Sequence, residues 1–216
     1  MVNCQQQLRD PGNFLVVGTP SASDASSQRS RRGTRTPLYF LAGAWLLAAW
    51  LVPAARAESS REYDLKAVLL FSLTRFVDWP PGALADPNAP LTIGILGQDP
   101  FGQTLDDVVR AEYFGPHKIR VVRCRTVESA RSCQLLFVCS SEQPNLPRIL
   151  RELAGRPVLT VGDFEGFATD GGMVRLFRNS EGKIRVRINL GSVRASGLAI
   201  SGKLLRLAEI INAGTN

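Results

Sequence analysis

The chain has 216 residues with 26 Lys+Arg, 19 Asp+Glu and a single His, for a formal net charge of +7. Six of the basic and two of the acidic residues precede Glu58, so the rest carries only +3, a mildly basic surface that excludes a nucleic-acid footprint. With one histidine, His117, hydrolytic triads have a single candidate base, and a metal site would have to recruit cysteines.

A leader comes first in chain order. Arg29, Arg31, Arg32 and Arg35 precede an apolar run from Leu38 to Val52, and Ala55-Arg56-Ala57 ends it, which is the pattern of a secretory signal. The apolar centre is 15 residues long, short of the roughly 20 that a membrane-crossing helix needs. Cleavage is therefore expected after Ala57, with 1–57 an N-terminal extension and signal peptide and 58–216 a single domain; a retained anchor is the alternative. An exported protein meets neither ATP nor DNA, and its cysteines can oxidise. Cys4 is lost with the leader, leaving Cys124, Cys133 and Cys139.

The domain opens with a predicted helix over Glu62 to Trp79. Leu65, Val68, Leu69, Phe71, Ser72 and Phe76 form its apolar band, and Pro80-Pro81-Gly82 stops it. Leu91 to Gly97 reads as a strand covered on both faces, with a helix from Asp99-Pro100 to about Arg110. Lys118 to Arg123, Gln134 to Cys139 and Pro157 to Gly162 are further strands, separated by helical turns at Val127–Arg131 and Pro144–Leu153. Met173 to Arg178 and Lys183 to Asn189, joined by Asn179-Ser-Glu-Gly182, read as a hairpin. Helix starts near Gly191 and Lys203 close the chain, the last with Leu204, Leu205, Leu207, Ala208 and Ile211 as its inner stripe. This order predicts an α/β fold, a mainly parallel central sheet flanked by helices, with an antiparallel C-terminal hairpin.

Few constellations carry chemistry. Gly97-Gln-Asp-Pro-Phe-Gly102-Gln103-Thr104 has phosphate-loop glycine spacing, but Gln103 replaces the lysine, Asp99 repels phosphate and Pro100 lacks an N–H; it reads as a strand-to-helix turn. His117 lies in a loop with no G-x-S-x-G elbow in the chain, so a hydrolase is the weakest reading. Asp106-Asp107 reads as a helix's solvent face and Asp163/Glu165 as a turn. No catalytic, cofactor or metal residues are predicted. Cys124 and Cys133, with eight residues between them in the link between two strands, read as a bridge or as two thiols; the short crossover favours the bridge. Cys139, in an apolar run, reads as a buried thiol. Cys133–Cys139 is the disfavoured pairing, because the extended stretch between them holds the two apart. Lys183, Arg185 and Arg187 alternate along one strand and share a face that Arg175 could extend. That face suits an acidic partner or anionic ligand, and equally an edge strand kept soluble by cations.

Several segments together resemble the YfiR/HmsC-like family. They are Tyr63-x-x-Lys66-Ala67, Phe76-x-x-Trp79-Pro80, Ile93-Gly-Ile-Leu-Gly97-x-Asp99-Pro100-Phe101-Gly102, Cys133-x-Leu-Leu-Phe137, Gly171-Gly172-Met173 and Ser196-Gly197-Leu-x-Ile-Ser201. The resemblance implies a periplasmic, non-enzymatic α/β regulator without a cofactor. Its implied partner is the periplasmic sensory domain of a membrane diguanylate cyclase of the YfiN type, whose repression lowers cyclic di-GMP and restrains biofilm formation. An outer-membrane lipoprotein is an implied second partner, a homodimer is compatible with it, and nucleic acid is not a partner. By the same resemblance Cys133 stands at a family cysteine position whose partner falls within Ile93–Leu96 here, making Cys124 the local substitute. Arg187 and Val193 match a region that influences repression, so with Lys183 and Arg185 they are the candidate partner contacts. Basic residues that line ligand pockets in some relatives are absent from Gly197–Ser201, and ligand binding does not carry over. The competing function is a periplasmic small-ligand-binding module using the strand ends near Gly97, Ser140 and Gly162.

Overall fold

The computed structural model describes residues 60–212; the leader, the cleavage expected after Ala57 and Cys4 lie outside the described residues. Among the described residues no helix is long and apolar enough to cross a membrane. The first helix, α1, spans 60–74. Its inner face is Ala67, Leu70, Phe71 and Thr74, a band at i, i+3, i+4, i+7, with Lys66 and Leu73 beside it. Leu65 and Val68, expected inside, are 59% and 48% exposed. The band is rotated because a lysine belongs to the buried face, and a polarity pattern places lysines outside. The helix also ends earlier than expected. Arg75 and Phe76 donate their N–H groups to Ser72 and Leu73 three residues back, tightening the last turn. The chain then extends into β1 (Val77–Asp78), which pairs antiparallel with β9 (Ala199–Ile200) in a small second sheet.

The main sheet contains β2 (Leu91–Leu96), β3 (Tyr113–Phe114), β4 (His117–Cys124), β5 (Leu135–Val138), β6 (Leu159–Gly162), β7 (Val174–Arg178), β8 (Ile184–Asn189) and β10 (Glu209–Ile211). Their spatial order is β10-β8-β7-β6-β5-β2-β4-β3. Strands β4, β2, β5, β6 and β7 run parallel, β8 returns antiparallel to β7, and β3 is antiparallel to β4. The central runs Leu91–Leu96, Leu135–Val138 and Leu159–Gly162 are buried throughout, as strands covered on both faces must be.

One face of the sheet is covered by α1 and by α2 (Gln103–Val109), which pack on Leu91, Ile93, Ile95, Leu135, Phe137, Leu159, Val161, Val174 and Leu176. The other is covered by α3 (Val127–Ala130) and α4 (Leu146–Leu153), with a 3₁₀ segment at Ser140–Asn145 leading into α4. Cys139 belongs to the first layer, and Cys124 and Cys133 belong to the second. The sheet therefore separates Cys139 from the other two.

The C-terminal region departs from the expected long helix. After α5 (Leu190–Ala195) and β9, helix α6 is only Gly202–Leu205, and residues 209–211 form β10 parallel to β8. Leu207, placed in the inner stripe by its spacing, is exposed. The run of Leu and Ile satisfies a helical period by chance, whereas the backbone groups of β8 give Glu209–Ile211 a ladder to join.

Candidate functional site

The hairpin of β7 and β8 is built from a turn whose chemistry is in the sequence. Asn179 Oδ1 accepts the N–H groups of Glu181 and Lys183, and Gly182 takes the left-handed conformation (φ 77°) that the return requires. The ladder runs Val174 opposite Ile188, Arg175 opposite Arg187, Leu176 opposite Val186, Phe177 opposite Arg185 and Arg178 opposite Ile184. Strand β6 flanks β7 only at Val174 and Arg175, and β10 flanks β8 only from Arg187 onward. The distal half, Leu176–Arg178 with Ile184–Val186, thus has no paired strand on either side and forms an arm at the end of the sheet.

On that arm the alternation sends Leu176, Val186 and Ile188 into the α1 layer and Arg175, Phe177, Arg185 and Arg187 to the opposite face. The core under α3 and α4 takes no residue from β7, β8 or β10, so this face stands beyond the helices that cover the rest of that side. Phe177 lies in its centre. The guanidinium groups of Arg175 and Arg187 stack on its ring at 5.2 and 4.8 Å. Arg187 also donates to Glu209 on β10, from Nε at 3.1 Å and Nη2 at 2.8 Å. Lys183 pairs with Glu181 at 2.9 Å. Arg175 Nε is buried without a hydrogen-bond partner. Like charges directly across a ladder, as with Arg175 and Arg187, repel each other, and the shared aromatic ring offsets part of this.

Arg185 and Arg187 are thus brought together with Arg175 and Phe177, whereas Lys183 precedes β8 and is paired with Glu181 in the turn. Val193 does not join them: it is 1% exposed in the α1 layer, so its side chain has no surface to offer a partner. The strand bearing the cations is also not the outer edge, since β10 covers its second half.

The cysteine pair sits on the far side of the sheet from α1. Cys124 and Cys133 are thiols whose Sγ atoms stand 4.0 Å apart, both buried. They lie over Gly94 of β2, where a Cβ would come within 2.7 Å of Cys133 Sγ and 3.2 Å of Cys124 Sγ. The strand glycine therefore makes the space the sulfurs fill. The Cys124 thiol ionises more readily than usual because Cys133 can donate to it, and Cys133 then holds its own proton more tightly. Burial pushes the Cys139 thiol up to about 12, so it remains protonated.

At the carboxyl ends of β2 and β5, where the direction of strand addition reverses, Gln98, Asp99, Pro100, Ser140 and Ser141 line a depression of about 410 Å³. Asp99 and Ser141 among its polar groups are already engaged. Asp99 Oδ1 accepts the N–H groups of Phe101 and Gly102, and its Oδ2 accepts from Arg123. Ser141 Oγ accepts the N–H of Gln98. A carboxylate of the chain itself occupies the amides that a phosphate would need, so the Gly97–Thr104 segment is a strand-to-helix turn. Arg123 also holds Asp106, chiefly by hydrogen bonding, so that the Asp106 carboxyl lies below the usual carboxylate range. His117 is buried with Nδ1 2.8 Å from the Ala89 carbonyl oxygen, a satisfied position. Among the described residues no group of three His, Cys, Asp or Glu side chains is placed to hold a metal ion.

Sequence reasoning missed one buried cluster. Lys66 Nζ lies 2.8 Å from Asp163 Oδ2 and 2.6 Å from Glu62 Oε1, with the Lys66 and Asp163 side chains 5% and 7% exposed. Tyr63 donates its hydroxyl to the same Asp163 oxygen at 2.9 Å, and burial raises the phenol above its ordinary range. The cluster fixes α1 over the end of β6. The partners are 97 residues apart, and no local pattern announces them.

The model of the YfiR/HmsC-like family matches residues 63–209, from the Tyr63 of this cluster to the Glu209 of the cationic face. The chain belongs to that family, which at family level is one of periplasmic regulators of diguanylate cyclase. No curated protein matches the chain. Among solved structures it is similar to the ABC domain in complex with L-Trp from Streptococcus pneumonia, at 12% identity and a TM-score of 0.46, over 67% of this chain and 60% of that one.

Proposed function

We propose that this protein is exported by cleavage of its leader after Ala57. In the periplasm it binds the sensory domain of a membrane diguanylate cyclase of the YfiN type and represses cyclic di-GMP synthesis. Family membership over 63–209 carries this reading, and the cationic arm of β7 and β8 supplies a surface suited to a protein partner. Lys183, Arg185 and Arg187 are the contacts, acting with Phe177, while Val193 supports the arm from within. No residue acts as a catalyst. Cys124 and Cys133 join in a disulfide in the oxidising compartment and brace the sheet beneath α3.

Repression of this kind is a population shift. The protein must bind the inactive arrangement of the sensor domain more tightly than the active one, because equal affinity shifts nothing. A ~100-fold change in the active fraction needs about 2.7 kcal/mol of differential binding. A few desolvated arginine–carboxylate contacts around one aromatic anchor reach that magnitude. Titration calorimetry of residues 58–216 against the purified periplasmic sensor domain of a YfiN-type diguanylate cyclase from the same organism tests the reading. Saturable binding is expected, and it is to be lost in Arg185→Glu. Absence of heat with the wild-type protein would contradict it.

A further inference from the structure

Three observations on the arm point the same way. Arg175 Nε is buried and bonded to nothing, a donor without its acceptor. Arg185, opposite Phe177, has no ion pair among the described residues. Arg187 has one, but its carboxylate comes from β10, a three-residue strand at the end of the sheet. The rows across the arm differ in just this respect. Arg175, Arg187 and Glu209 stand abreast, so that row ends in an acid. The row above, Phe177 and Arg185, has no third member, because β10 begins only at Glu209.

We infer that the face accepts an extended acidic segment of a partner protein, and that Glu209 is a carboxylate built into the fold which competes with that segment for Arg187. The inference rests on reading the arm as a partner-binding face and not on the partner being a cyclase. Charge complementarity selects the occupant: Arg175, Arg185 and Arg187 form a cationic row and diagonal around one ring, and alternate acids of an extended chain repeat at the spacing of alternate residues on β8. The Arg187–Glu209 pair is partly exposed, at 29% and 43% for the two side chains, so it is weak enough to exchange. Glu209 holds the Nε and Nη2 donors of Arg187, so an incoming carboxylate that takes this edge of the guanidinium displaces Glu209, and removing the Glu209 charge therefore strengthens binding.

The test uses residues 58–216 and a fluorescein-labelled extended peptide alternating Glu with Thr, read by anisotropy at two salt concentrations. A Gln–Thr peptide and vesicles containing phosphatidylglycerol serve as comparisons. Glu209→Gln is expected to bind the Glu–Thr peptide about two- to fivefold more tightly than wild type, the range an exposed ion pair allows. Glu152→Gln removes the same charge from α4, where it pairs with Arg131 and Arg148, and is expected to leave affinity unchanged. Arg185→Glu is expected to weaken binding tenfold or more while keeping the wild-type melting temperature. Equal gains in Glu209→Gln and Glu152→Gln would overturn the competitor role. Binding of the Gln–Thr peptide as tightly as the acidic one would overturn the acidic partner, as would vesicle capture lost in Arg185→Glu with no peptide binding. Peptide binding without sensor-domain binding would leave this inference standing and remove only the cyclase reading.

Discussion

Joining Cys124 to Cys133 is the perturbation with the most direct physical yield. The sulfurs stand 4.0 Å apart in one buried pocket above Gly94, so each needs a displacement of about 1 Å to reach bonding distance near 2.05 Å. The bridge closes a ten-residue loop, Cys124 through Cys133. On the loop-entropy model it removes about 9 cal/mol/K from the unfolded chain, or roughly 2.7 kcal/mol at 25 °C. For a domain of this size, that corresponds to a melting temperature about 5–10 °C higher than that of the reduced protein. The assay is thermal unfolding of periplasm-derived protein with and without reductant, beside Cys124→Ala/Cys133→Ala, together with peptide mapping without reduction. The reductant is expected to lower the midpoint of the wild type and not that of the double variant, and mapping is expected to recover the joined peptides. Cys139, separated from the pair by the sheet, serves as the internal control and is expected to alkylate only after unfolding. Alkylation of Cys124 and Cys133 in unreduced protein, with no response to reductant, would refute the reasoning.

Other outcomes follow from named contacts. Lys66→Met leaves Asp163 buried without its cation, and is expected to cost about 3–5 kcal/mol in denaturant unfolding, with part of the loss recovered in Lys66→Met/Asp163→Asn. Gly94→Ala puts a methyl group 2.7 Å from Cys133 Sγ and is expected to cost about 1–3 kcal/mol; Cys133→Ala in the same chain should relieve most of it. For Asp106 the folded carboxyl is depressed below an unfolded value near ~3.9, so its stabilisation is present above that pH and lost as pH falls through the folded value. The stability difference between wild type and Arg123→Gln should therefore be full at pH 6 and smaller at pH 3, as read from urea midpoints; a constant difference would contradict the Arg123–Asp106 assignment.

The sheet was legible because its strands are written as uninterrupted apolar runs. Leu91–Leu96, Leu135–Val138 and Leu159–Gly162 have no exposed residue, and among the described residues no other element of this length has that pattern. The hairpin was legible because Asn179 and Gly182 announce the turn. The face of α1 was not, since Lys66 turns inward only because Asp163 waits 97 residues away. Strand β10 was not, since Glu209–Ile211 gains its conformation from β8 and its own spacing imitates a helix. Of the candidate contacts, alternation along β8 places Arg185 and Arg187 on one face, because a strand fixes its side-chain faces locally, whereas Lys183 precedes the strand and pairs with Glu181 of the turn. Val193 was placed by resemblance alone and lies in the core. Phe177 had no signal in the chain beyond being an aromatic between arginines two residues before and one after; its role emerges only when β7 and β8 bring Arg175 and Arg187 onto its ring.

Cellular cyclic di-GMP, measured in a strain lacking this gene and again after it is restored, bears most directly on the central claim. The account predicts a rise on deletion, a return to the parental level with the full chain, and no return with Arg185→Glu or with a form lacking residues 38–57. A level unchanged by deletion, or restored in full by the leaderless form, would contradict it.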